Sequence, residues 1–104
     1  MILIVEPDEL RSEYYARKLR KQTDYQLAGI ARGKRQTTTL LRRCSVDFAL
    51  VSTTLADGSA ADVVALILKR NPDAHVLVVA DTADENTVMQ AVSAGANGYM
   101  LASE

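Results

Sequence analysis

Carboxylates and hydroxyls are the side chains of this sequence best placed to do chemistry together. Glu6 and Asp8 flank Pro7 just after the apolar run Ile2-Leu3-Ile4-Val5, and Asp81 follows a second apolar run, Val76 to Ala80. Three hard oxygen donors gathered at one rim could attract a divalent cation, and with it a cation-dependent enzymatic reaction. Ser52-Thr53-Thr54 ends a third apolar run, Phe48 to Val51, which offers a serine nucleophile or a hydroxyl cluster for a Ser/Thr kinase. A serine hydroxyl needs a base beside it. The only histidine, His75, precedes the Val76 run and is expected at the opposite end of the sheet from Ser52. Local hydrogen bonding is therefore the expected role of Ser52, no kinase recognition pattern surrounds the trio, and Asp8 is better used as a helix cap than as a ligand.

The elements that must position these residues alternate strand and helix. Ile2–Val5, Tyr25–Ala31, Phe48–Val51, Val76–Val79 and Tyr99–Leu101 read as five strands, mostly continuous apolar runs of the kind buried on both faces. Asp8 predicts a helix to about residue 21, with Leu10, Tyr14 and Leu19 inward. Gly33 opens a second helix to about Arg43, with Leu40 and Leu41 inward. Asp57-Gly58 reads as a turn, and Ser59 as the cap of a third helix whose stripe is Ala60, Val64, Ile67 and Leu68. Asp84-Glu85 start a fourth helix, with Val88, Ala91 and Val92 inward and Gly95 as a left-handed cap. The expected fold is α/β: a flavodoxin-like parallel five-stranded sheet of order 2-1-3-4-5 with helices on both faces. The 104 residues suffice for one domain, residues 1–104, with no internal repeat or linker.

Composition narrows the function classes. No apolar stretch approaches the roughly 20 residues of a membrane span, and the first residues lack the pattern of a signal peptide. A single cysteine, Cys44, forbids an internal disulfide, suits a reducing cytoplasm, and is expected as a buried apolar residue. Residues 8–43 carry a charge balance of +6 and residues 44–104 one of −6. Two solvated faces of opposite sign account for this, with an acidic partner or a head-to-tail contact as the functional alternative. The basic residues are not interleaved with aromatics, so direct nucleic-acid binding by this segment is not expected.

Order and spacing of three segments resemble the receiver domain of bacterial two-component response regulators, a CheY-like fold. Ile2–Asp8 looks like the family's first strand and acid pair, Asp47–Gly58 like its acceptor strand and loop, and Ala94-Gly95-Ala96-Asn97-Gly98-Tyr99-Met100-Leu101 like its AGAxGYLL segment. The resemblance covers the chain except for the family's last helix, the fifth, for which no residues remain. Either a longer protein or a partner is then expected to cover the fifth strand.

The family's reactive residues do not carry over. Pro7 interrupts the acid pair of Glu6 and Asp8, Ser52 stands at the phosphoaccepting aspartate, Ala80 at the hydroxyl residue and Ala102 at the lysine. Ala56 replaces the usual proline of the acceptor loop. Phosphoryl transfer depends on positioned charge and metal, so aspartate phosphorylation is not expected here. The resemblance implies a pseudo-receiver: not an enzyme, without a cofactor or metal, acting in signal transduction through protein contacts. By the same resemblance, the fourth helix and fifth strand would supply a face for a homodimer or partner. Tyr99 would be a fixed interface residue, and a DNA-binding helix-turn-helix output domain could follow in a longer chain. A ligand-sensing receiver, with a metabolite in the pocket that Ala56, Ala80 and Ala102 enlarge, is the alternative.

Overall fold

The computed structural model describes residues 1–80 and 85–102. Its elements run β1 (Ile2–Val5), α1 (Glu9–Gln22), β2 (Leu27–Ala31), α2 (Lys34–Leu41), β3 (Phe48–Ser52), α3 (Ala60–Arg70), β4 (His75–Ala80), α4 (Glu85–Ser93) and β5 (Gly98–Leu101). All strand pairs are parallel and the sheet order is β2-β1-β3-β4-β5. The expected α/β, CheY-like arrangement is therefore the observed one.

Apolar side chains on both faces of the central strands explain this architecture. Every residue of β1 is buried, as are Ala49 to Ser52 of β3. Such strands can exist in water only if helices cover both faces. Side chains alternate between two cores. Leu3, Val5, Ala49, Val51, Val76 and Val78 meet Leu41 of α2, Val63, Val64 and Ile67 of α3, and Ala91 of α4. Ile2, Ile4, Leu50 and Val79 meet Tyr15 and Ala16 of α1 on the other face. Among the described residues α2, α3 and α4 thus lie on one side of the sheet and α1 on the other.

Caps set the helix ends. Asp8 Oδ1 accepts from the backbone N–H groups of Leu10 and Arg11 at 2.9 and 3.3 Å, and Ser59 Oγ from Asp62 at 3.1 Å. Gly95, just past α4, has φ +117°, the left-handed region in which glycine is at ease. Asn97 ties the following turn to β4: its Oδ1 accepts from Val76 N at 2.8 Å, and its own N–H donates to Val76 O at 2.8 Å.

Several expectations need correction. Leu10 and Tyr14 are not inward: they are 78% and 53% exposed, and Ser12, Tyr15 and Ala16 form the buried face of α1, with Leu19 partly buried. The stripe on α1 is thus rotated by about one residue from the one its largest apolar side chains suggest. Val92 is 43% exposed, and Cys44 is half-buried beside Arg42, Arg43 and Arg70 rather than buried. The second strand starts two residues later than expected, at Leu27. Asp84 lies outside the described residues. Among the described residues, no helix is long and apolar enough to cross a membrane.

Replacing Gly95 forces an L-residue into the left-handed region and sets its Cβ 2.4 Å from Leu68 Cδ1. Gly95→Ala is expected to cost on the order of 1–3 kcal/mol. Urea unfolding followed by circular dichroism measures this, and an unchanged midpoint would remove the capping role.

Candidate functional site

The carboxyl ends of the strands form one rim, and the strand register sets its residues side by side. Val5 pairs with Val51 and Ser52 with Val79, so Glu6 and Ser52 leave adjacent strands at the same level. Ala80 pairs with Leu101, and Ala102 N donates to Ala80 O at 2.8 Å. Glu6, Ser52, Ala80 and Ala102 are therefore gathered at the rim, with Asp8 one turn away at the start of α1. Asp81 lies outside the described residues. Tyr99 sits lower on β5, opposite Val78, and is 52% exposed.

The polar groups of this rim bond to the protein itself. Ser52 is 2% exposed, its Oγ lies 2.9 Å from Thr54 Oγ1, and it accepts from Thr54 N at 3.2 Å. Buried hydroxyls require such partners, and this pair closes the loop after β3 on itself. Glu6 is fully buried and its Oε2 accepts from Asp8 N at 3.0 Å. Asp8 turns its carboxylate to the α1 cap. One oxygen of each acid thus accepts from the backbone. Among the described residues, no three His, Cys, Asp or Glu side chains group as metal ligands do. His75 pairs with Phe48, four residues before Ser52 on β3, which is roughly 13 Å along the strand.

Two residues that the sequence reading passed over fasten the rim. Arg32, after β2, donates from Nη1 to Ser12 Oγ at 2.8 Å and to Glu6 O at 3.1 Å, with Asp8 O at 3.5 Å. Its own N–H donates to Gln36 Oε1 at 2.7 Å. One guanidinium therefore ties the β2–α2 turn to the β1–α1 turn. Asp57, expected as a turn residue, caps a helix 23 residues upstream: its Oδ1 accepts from Lys34 N at 2.8 Å and its Oδ2 from Arg35 N at 3.1 Å. The preceding Gly33 offers α2 no side-chain cap, and a Cβ there would lie 2.3 Å from Asp57 Oδ1. The glycine makes room for a cap delivered from another loop. A hint was present in the sequence: α2 begins without Ser, Thr, Asp or Asn at its cap.

No family model and no curated protein matches the chain. Solved structures do. A response regulator of Burkholderia pseudomallei, solved with a phosphorylated aspartic acid, calcium ion and citrate, is 27% identical with a TM-score of 0.86. The match covers 96% of this chain and 58% of that one, so the chain spans little more than half of that regulator's length. A LuxR-family two-component response regulator of Aurantimonas is 21% identical with a TM-score of 0.87, over 99% of this chain and 74% of that one. A LuxR-family DNA-binding response regulator of Staphylococcus aureus is 14% identical with a TM-score of 0.87, over 99% and 86%. The fold is that of a response-regulator receiver domain.

The backbone hydrogen bonds from Arg35 and Lys34 hold the Asp57 carboxyl below its ordinary value of 3.8. A group whose folded pKa is depressed stabilises the fold above its unfolded pKa, and that contribution is lost as pH falls through the folded pKa. Asp57→Ala is expected to lower the melting temperature near neutral pH, and the gap to the parent protein should close below about pH 3.8. Gly33→Ala should act through the same contact, so the double variant should melt close to either single one. Additive losses would uncouple the two residues.

Proposed function

We propose that this chain is a pseudo-receiver, a non-enzymatic regulatory domain that acts in signal transduction through protein contacts rather than aspartate phosphorylation. The observation that carries the reading is Ser52, at the end of β3, buried and hydrogen-bonded to Thr54. A hydroxyl held in this way presents neither the carboxylate that accepts a phosphoryl group nor a base to activate the oxygen. Ala80 and Ala102 at the neighbouring strand ends offer no side-chain donor to a phosphoryl oxygen, and no positive charge. Glu6 Oε2 and Asp8 Oδ1 already accept from backbone N–H groups. The domain would work without cofactor or metal.

Burial bears on the alternatives. Ser52 and Ala80 are 2% and 1% exposed and offer a metabolite little surface, which favours contact signalling over ligand sensing. The face of α4 and β5 offers Met89, Val92 and Tyr99, exposed by 55%, 43% and 52%. Exposed apolar side chains of this size suit a protein partner or a homodimer. LuxR-family neighbours make a DNA-binding output domain in a longer chain a natural recipient of that contact, in a cytoplasmic setting.

Incubation with acetyl phosphate and magnesium tests the reading by intact mass spectrometry. The expected result is no acid-labile adduct, with the melting temperature unchanged. An adduct on any carboxylate overturns it.

A further inference from the structure

β2 is an edge strand, at the far side of the sheet from β5, and among the described residues it has a strand neighbour on one side only. In a parallel ladder the backbone N–H and C=O groups of a strand point to both sides. Those of β2 that point away from β1 face outward between α1 and α2, the helices that precede and follow the strand directly. Leu27-Ala28-Gly29-Ile30-Ala31 carries neither charge nor proline, two devices that keep other strands off an edge. Ala28 is an extra residue against Ile2 and Leu3, and it bulges the start of the strand. Gly29 to Ala31 then run in regular register with Leu3 to Val5.

Beside this edge lies a groove of about 560 Å³. Its floor is Ile30, and its wall is one flank of α1, with Glu13, Arg17, Arg20 and Lys21. Three basic side chains thus stand against one acid. A strand added to β2 would turn alternate side chains into the groove, roughly 6.6 Å apart. Arg17 precedes Arg20 and Lys21 by about one helical turn, a rise of roughly 4.5–6 Å. Carboxylates at i and i+2 of the added strand would therefore meet successive cations. On the other face Leu40 of α2 lies over Gly29, where a Cβ would stand 3.1 Å from its methyl groups, so the intervening side chains would meet an apolar neighbour. Two copies joined edge to edge would bring the same basic flanks together, which disfavours self-pairing.

We propose that the β2 edge takes up an extended acidic segment of a partner protein as a further strand, paired through the backbone and selected by the basic flank of α1. The contact stands apart from the α4/β5 face, at the opposite edge of the sheet, and does not depend on Ser52.

Fluorescein-labelled peptides of about eight residues test it by anisotropy. One alternates glutamate with valine and one lysine with valine; two more are the glutamate peptide N-methylated on its odd or on its even residues. Saturable binding of the glutamate peptide is expected, about threefold to tenfold tighter than the lysine peptide. One N-methylated peptide should bind like its parent, and the other, which loses the N–H groups aimed at the edge, at least about tenfold more weakly. Hydrogen exchange of residues 25–32 should slow on binding. Reversing charge at two exposed positions, Arg17→Glu with Arg20→Glu, should narrow or reverse the preference for glutamate. Absence of saturation with the glutamate peptide overturns the proposal, as do an unchanged preference in the charge-reversed protein, equal binding of the two N-methylated peptides, or unchanged exchange in β2. So does sedimentation as a dimer whose β2 amides exchange faster on dilution, since a second copy then occupies the edge.

Discussion

Backbone pairing in the buried parallel sheet is the constraint on which everything else depends. β1 is buried along its whole length, and β3 nearly so, so each N–H and C=O there must find its partner in a neighbouring strand. Buried polar side chains on the helices, Ser12 and Thr37, bond back to the backbone of the preceding turn. Glu6 and Ser52 lie at the rim where the strands end and the chain turns toward its helices. Each turn exposes N–H groups that the helix itself cannot satisfy. The polar side chains of the rim are drawn to them.

That demand accounts for the character of the site. At this rim Asp8 caps α1, Asp57 caps α2, Glu6 Oε2 accepts from Asp8 N, and Ser52 pairs with Thr54. Arg32 adds a fixed positive charge that holds the first two helix turns together through carbonyl and hydroxyl oxygens. The result is a rim fastened by side-chain to backbone bonds, suited to keeping one shape.

The two faces of the sheet differ. Among the described residues α2, α3 and α4 lie on one face and α1 on the other, and the basic half of the sequence supplies α1 and α2.

Strand runs, helix caps and the left-handed Gly95 were legible in the sequence because each is a local signal: an apolar run, an oxygen before a helix, a glycine after one. The parallel sheet and its order followed from those runs and from the family resemblance. The inward face of α1 was not legible, since Tyr14 and Tyr15 are equally apolar and only the packed sheet selects Tyr15. Nor was the rim network. Asp57 reaches α2 across 23 residues and Arg32 reaches Ser12 across 20, and no periodicity encodes which loops meet. The sequence by itself determined which side chains are present at the strand ends and which are missing. Only the tertiary structure decided what those side chains bond, because hydrogen bonds at the rim depend on the spacing of strands that are distant in the chain.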